Sequence, residues 1–343
     1  MRKSLKVVLI IASSLVGIGI LCMCLAVAFG GTELFVKNYD KIDVKVMSAT
    51  FDNVDIINVK DAANDVKILQ SQNDQVKVTY GVSDEFSYYV KQIDDTLYVE
   101  YDDFRHWYDY LFMFGKFNEP DLIIEVPEKT LSELNVKCTS GDIEAKSVNS
   151  LVTNLNSTSG DIEVGGNVGD LTATATSGDV KVNAGTNAEM AVISTTSGKL
   201  ELSGNVKGDV IADNTSGGIV CEDLKCENLD VKTTSGKIKG ENLTLKSLRA
   251  DSISGGINMK NAICTDDMTL EATSGSISLD SVDAANYDLH TTSGSIHADI
   301  LNAKVYNVKS TSGSVRVPDS ATGSNGTFNA KTTSGSIKVQ VED

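Results

Sequence analysis

Tryptophan occurs once in 343 residues, and proline and histidine three times each. Beyond the first six residues, arginine occurs only as Arg105, Arg249 and Arg316. Polysaccharide-cleaving β-helix enzymes concentrate Asp, Arg and Lys on one face, and so few arginines argue against such a face. His106, His290 and His297 stand in no Ser or Cys nucleophile context, and no nucleophile elbow, phosphate-binding loop or metal-binding helix motif is present. The six cysteines lack zinc-ligand spacing with any histidine. The reading is therefore non-enzymatic: no catalytic, cofactor-binding or metal residue is assigned, and no cofactor is expected.

The formal net charge is −17. Residues 1–32 hold Arg2, Lys3 and Lys6 and no acid, so the remainder is more acidic still. Such a surface argues against nucleic acid as a partner and against direct adsorption to anionic lipid.

One long uncharged run exists. Residues 7–29 would form a helix of about 35 Å, enough to cross a bilayer. The basic residues precede it, so residues 1–6 are expected in the cytoplasm and the C-terminal bulk outside, in a single-pass plasma-membrane topology. A cleaved signal peptide is the competing reading, since Ala26-Val27-Ala28 fits the small-x-small pattern. The run exceeds a normal signal h-region, which favours an uncleaved anchor. Leu21 and Met23 precede Cys22 and Cys24, where a lipoprotein site wants a small residue.

Against this background one pattern dominates. A Thr-Ser-Gly triplet, or a close variant, recurs at Gly141, Gly160, Gly178, Gly198, Gly217, Gly236, Gly255, Gly275, Gly294, Gly313 and Gly335, mostly 19 residues apart. The last interval is longest, at 22 residues. A period this short belongs to stacked repeats. Leucine-rich and calcium-binding nonapeptide signatures are absent. Two residues after each glycine stands a branched aliphatic, from Ile143 and Ile162 to Val315 and Ile337. Apolar residues also recur four after and five before it, alternating with polar ones, so each repeat holds two short strands. Stacked in parallel, about 4.8 Å per rung, the repeats build an all-β solenoid over residues 131–343. The Ser-Gly pair is its corner, where glycine supplies positive φ or room that a Cβ would fill. The last repeat, with Ile337 and Val339, is expected to form an open end. Residues 318–326 insert a loop expected to fold over that end or to mark a contact at the tip.

Residues 33–130 lack the triplet but contain strand-like runs such as Val76-Lys77-Val78-Thr79-Tyr80, and are expected to cap the solenoid. They include an aromatic-rich segment, 104–117, with the only tryptophan. It reads either as a membrane- or partner-binding patch or as a plug closing the tube. Cys138, Cys221, Cys226 and Cys264 read as small buried hydrophobes, because the repeat spacing holds most pairs beyond disulfide reach.

Three outward columns have alternative readings. One and three residues after glycine the columns begin Asp142, Asp161, Asp179 and Glu144, Glu163, and end serine-rich and mildly basic. They form a docking strip, a divalent-cation ladder or a solvated face. Two before glycine the column is nearly all Thr, which raises ice binding. The charged column four before glycine (Asp213, Lys232, Asp251) breaks the flat array such binding needs.

The uncharged N-terminal run, the lead-in ending Ile124-Glu125-Val126-Pro127 and repeats such as Thr158-Ser159-Gly160-Asp161-Ile162-Glu163-Val164 resemble the bacterial "putative adhesin" family, surface β-repeat proteins of unknown function. The resemblance covers about residues 40–343 and implies a β-helix in a cell-envelope setting, with no catalytic residues. The expected role is an adhesin-like or envelope-sensing scaffold, with a cell-envelope polymer or a surface or membrane protein as partner. Binding of cell-wall polysaccharide, or less readily its modification, is the alternative.

The anchor has a direct test. Protease added to intact cells should remove the repeats and leave a membrane-bound N-terminal fragment on immunoblots. Mature protein starting near Phe29 in the medium would refute the uncleaved anchor.

Overall fold

A computed structural model describes residues 14–19, 21–22, 25, 43–105, 119–184, 188, 190–321 and 326–342. The chain divides into a small unit (residues 1–45, 82–87 and 102–119) and a large one comprising the rest.

In the small unit, Ser14 to Gly19 are helical. The anchor expected over residues 7–29 lies mostly outside the described residues. Among those described, no helix is long and apolar enough to cross a membrane. Most of the aromatic segment, 106–117, also lies outside them. Its flanks are joined by Arg105, whose buried guanidinium meets Asp103 at 2.8 Å and Glu119 at 3.1 Å.

The large unit is a parallel β-solenoid. The strand before each triplet belongs to one sheet and the strand after it to a second, of 14 and 15 strands. The pairing register matches the sequence columns: Ile219, Ile238, Ile257, Ile277 and Ile296 are successive partners, each at most 1% exposed. Burying such aliphatic columns supplies the main stabilisation, about 25 cal/mol per Å².

The stack starts before the first triplet. Ile56–Asp61 pairs with Leu131–Cys138, and Val66–Ser71 with Ile143–Ala145. Asn64 thus stands at the corner where later coils have glycine. Thr96–Asp103 and Leu122–Pro127 form a further coil outside this one, and the aromatic segment lies between these two strands in sequence. Three strands finish the N-terminal end: Val76–Val82, antiparallel to Leu122–Pro127, then Lys45–Phe51, and in the other sheet Phe86–Ile93.

The C-terminal end corrects the expectation. Thr327–Ser334 and Ile337–Val341, last in sequence, lie between the coil of Asn286–Thr291 and Ile296–Ile300 and the coil of Val305–Ser312 and Val315–Arg316. Ile337 and Val339 are therefore covered, at 1% and 4% exposure, and the outermost rung belongs to the preceding repeat. Both repeats carry the same columns, so either order satisfies the core. The longer connection at residues 317–326 lets the chain turn back. This loop touches the free edge as well: Tyr306 N–H donates to Ser320 Oγ at 3.3 Å, and Ala321 N–H to the Lys304 carbonyl at 3.0 Å.

The triplet glycine is required by crowding. A Cβ on any of the eleven would overlap the corner carbonyl of a neighbouring coil, that of Gly217 in the case of Gly236. Apart from Gly313 (φ 158°), positive φ in the repeats belongs instead to the second bend, six residues on, at Gly166, Gly204, Asp223, Asn242, Asn261 and Ser281. There Asn242 Nδ2 donates to Asp223 Oδ1 at 2.9 Å, and Asn261 to Asn242 at 3.1 Å, stacking the turn side chains.

Gly236→Ala should therefore destabilise by about 3 kcal/mol or more, through backbone displacement in two coils. Gly218→Ala, with only the Lys237 carbonyl at 3.3 Å near its Cβ position, should cost less than about 1 kcal/mol. Denaturant melts that rank the two equally would contradict the crowding argument.

Candidate docking groove

The corner is hydrogen-bonded from within. Three residues before glycine, a buried side chain donates to the glycine carbonyl of an adjacent coil: Thr195 to Gly178 (2.9 Å), Asn214 to Gly198 (2.7 Å), Thr233 to Gly217 (3.0 Å), Thr291 to Gly275 (2.8 Å) and Thr332 to Gly294 (2.9 Å). Cys138 holds the same position, with Sγ 3.5 Å from the Asn64 carbonyl. An unpaired buried carbonyl would cost about 1–3 kcal/mol, which accounts for the polar bias of this otherwise internal column.

Outside this row lies an open groove of about 800 Å³ crossing seven coils, from Thr174 to His290. One wall is the column four before glycine: Thr174, Ser194, Asp213, Lys232, Asp251, Glu271 and His290. The other is the Thr column, interrupted by Ile253, which is 53% exposed. Asn214 lies in the floor, and among the described residues its buried Oδ1 has no hydrogen-bond partner. Asp230 holds Lys232 at 2.9 Å, and Arg249 meets Asp251 at 3.0 Å. The hydrogen bond from Lys232 to Asp230 raises the lysine's pKa, keeping the ammonium charged. The groove thus offers hydroxyls and charges at rung spacing, about 4.8 Å.

The two columns after glycine behave differently. Asp142 N–H donates to Asp65 Oδ1 at 2.9 Å, and at 2.7 Å Asp161 N–H donates to Asp142, Asp179 to Asp161, and Lys199 to Asp179. One oxygen of each carboxylate is thereby engaged in stacking the corner. Ser276, Ser295 and Ser336 accept in the same way at 3.2–3.3 Å. In the next outward column Lys146 bridges Glu144 and Glu163 at 3.0 and 2.8 Å. Its hydrogen bond holds the Glu163 carboxyl below the usual range. Among the described residues no group of three or more His, Cys, Asp or Glu is placed to hold a metal ion.

Cys138, Cys221, Cys226 and Cys264 are buried free thiols. Burial raises their pKa values, to about 11 for Cys138 and about 12 for Cys226 and Cys264.

The groove follows the column that the sequence reading set aside as spoiling a flat Thr array. The useful signal is its mixture of hydroxyl and charged residues beside a Thr column broken at Ile253.

Fold and groove define a two-sheet parallel β-solenoid with a polar outer channel. The chain belongs to the Toastrack DUF4097 family, whose model matches residues 54–239 and 220–343. No curated protein matches it in sequence. Among solved structures, a "putative adhesin" from Parabacteroides merdae ATCC 43184 is 14% identical, with 76% of this chain and 97% of that one covered and a TM-score of 0.38. One from Bacteroides fragilis NCTC 9343 is 14% identical, covering 86% and 97%, with a TM-score of 0.34. A "putative lipid binding protein" from Parabacteroides distasonis ATCC 8503 is 13% identical, covering 87% and 97%, with a TM-score of 0.34.

The thiols provide a test of the interior. At pH 8 the native protein should resist iodoacetamide at the four cysteines, because thiolate is scarce and access blocked, and should react fully in guanidinium. Rapid alkylation of Cys226 in the native state, read by mass spectrometry, would contradict its placement.

Proposed function

We propose that this protein is a membrane-anchored, non-catalytic binding scaffold at the bacterial cell surface, of adhesin-like or envelope-sensing type. Its groove docks an extended partner: a cell-envelope polymer, or a segment of a surface or membrane protein. The observation that carries this reading is the continuity of the groove over seven coils. A compact small molecule needs an enclosed pocket, whereas a polymer with repeated polar groups gains from a ladder of equivalent contacts. The uncharged run at residues 7–29 supports anchorage, and the acidic exterior suits a solvated surface protein. Cell-wall polysaccharide is the more specific second reading, favoured by a wall of Thr hydroxyls facing the carboxylates of Asp213, Asp251 and Glu271 across the groove.

The test uses full-length protein in detergent. It should co-sediment with purified cell wall, and Thr215→Arg with Thr234→Arg, which obstruct the groove, should reduce binding about tenfold. Lys181→Ala on the other sheet should leave it unchanged. Equal sedimentation of the groove variant and the parent would refute docking in the groove. No sedimentation, with a membrane protein co-purifying in a groove-dependent way, would favour sensing over wall binding.

A further inference from the structure

The two ends of the solenoid are finished differently. At the N-terminal end, antiparallel and flanking strands cover the last parallel coil. At the other end Val305–Ser312 and Val315–Arg316 are the outermost strands of their sheets, with no strand beyond them among the described residues. Among the described residues, the loop meets this edge at its start, through Ser320 and Ala321. The outermost rung also leaves its inward-facing residues open: Val315 and Val317 are 41% and 39% exposed, and Tyr306 and Val308 are only partly buried.

Charge at this tip runs against the rest of the molecule. Residues 301–317 contain Lys304, Lys309 and Arg316 and no acid, in a protein of net charge −17. Lys304 is buried against Asp283 at 3.2 Å. The other two are exposed, and the exchanged coil order places them at the open end of two basic columns. His290, Lys331 and Lys309 stack in one sheet, and His297, Lys338 and Arg316 in the other.

We propose that this tip is a β-augmentation site for an extended acidic peptide, one that alternates apolar and carboxylate side chains. Its backbone pairs with the free edge of Val305–Ser312, its apolar residues cover Val308 and the open valines, and its carboxylates meet Lys309 and Lys331. An unpaired edge of this kind is a ready template for another strand. A second copy of this chain fits less well, since its own Lys309 and Arg316 would face the same cations. The site is separate from the groove argued above and stands or falls without it.

The experiment titrates full-length protein in detergent micelles into a fluorescein-labelled peptide of alternating Val and Glu, read by anisotropy. Saturable binding is expected, weakened about tenfold by Lys309→Glu with Arg316→Glu. It should be lost when alternate peptide amides are N-methylated and be unchanged by Lys199→Glu. If the double variant melts early, Lys309→Gln reads the same charge with less disturbance. Absence of saturable binding, equal binding of the N-methylated peptide, or equal affinity of a folded charge variant would overturn the proposal. So would displacement by an acidic polysaccharide as effective as the unlabelled peptide, which would mean an ionic surface without strand pairing. Loss of peptide binding as the protein self-associates end to end would assign the edge to a second copy instead.

Discussion

The packing of each corner glycine against the corner carbonyl of an adjacent coil fixes the rest of the solenoid. A backbone oxygen occupies the space a Cβ would need, so the coils can approach only where Cα carries no side chain. That approach sets the rung spacing at the corner and aligns the aliphatics two residues later. It also brings the carbonyl within reach of the buried Thr or Asn three residues before the neighbouring glycine. The repeated triplet is therefore one device: a close approach, a buried donor that satisfies the carbonyl it exposes, and an outer Asp or Ser that accepts the next N–H.

Much of this was legible in the sequence, because each column has a single physical requirement. The branched aliphatics after glycine identified the core face, and their register survives in the strand pairs. The coil at residues 56–71 was hidden because its corner carries Asn64, and because Asp61 replaces the usual buried hydroxyl. Asp61 Oδ1 accepts the Asn64 N–H at 2.9 Å, and its other oxygen takes the Tyr88 hydroxyl at 2.5 Å. Burial raises the pKa of that carboxyl. The same corner thus forms with different chemistry, which a search for the triplet cannot recognise. The groove was missed for another reason. The column at Asp213, Lys232 and Asp251 was judged against a flat array, whereas a recess needs only a raised polar wall.

Coil order at the ends could not be read from periodicity. Columns specify which residues face inward, and repeats ten and eleven carry equivalent columns. Stacking them in either order buries similar side chains, so the choice falls to the connection. Its extra length at residues 317–326 permits the reversal, and Ser320 and Ala321 then hydrogen-bond part of the edge it creates. A comparable exchange occurs at the other end, where the coil of Ile56–Asp61 lies between Thr96–Asp103 and the first triplet repeat. In both places the coil nearer the chain terminus is inserted beneath the one that lies next to the central repeats in sequence.

This exchange has an electrostatic result. With the coils in sequence order, Lys331 and Lys338 would be outermost and Lys309 and Arg316 would be enclosed by neighbours on both sides. The observed order keeps all four within two adjacent rungs but places Lys309 and Arg316 on the rung whose backbone edge is open. Like charges stacked at rung spacing repel, so the arrangement costs stability unless salt or an anionic group offsets it. In the column of Glu144 and Glu163 such repulsion is limited by mixing signs, with Lys146 between the two carboxylates. The tip departs from that rule on the rung where backbone groups and apolar side chains are also left uncovered, so charge, edge and exposed core converge on one end of the solenoid.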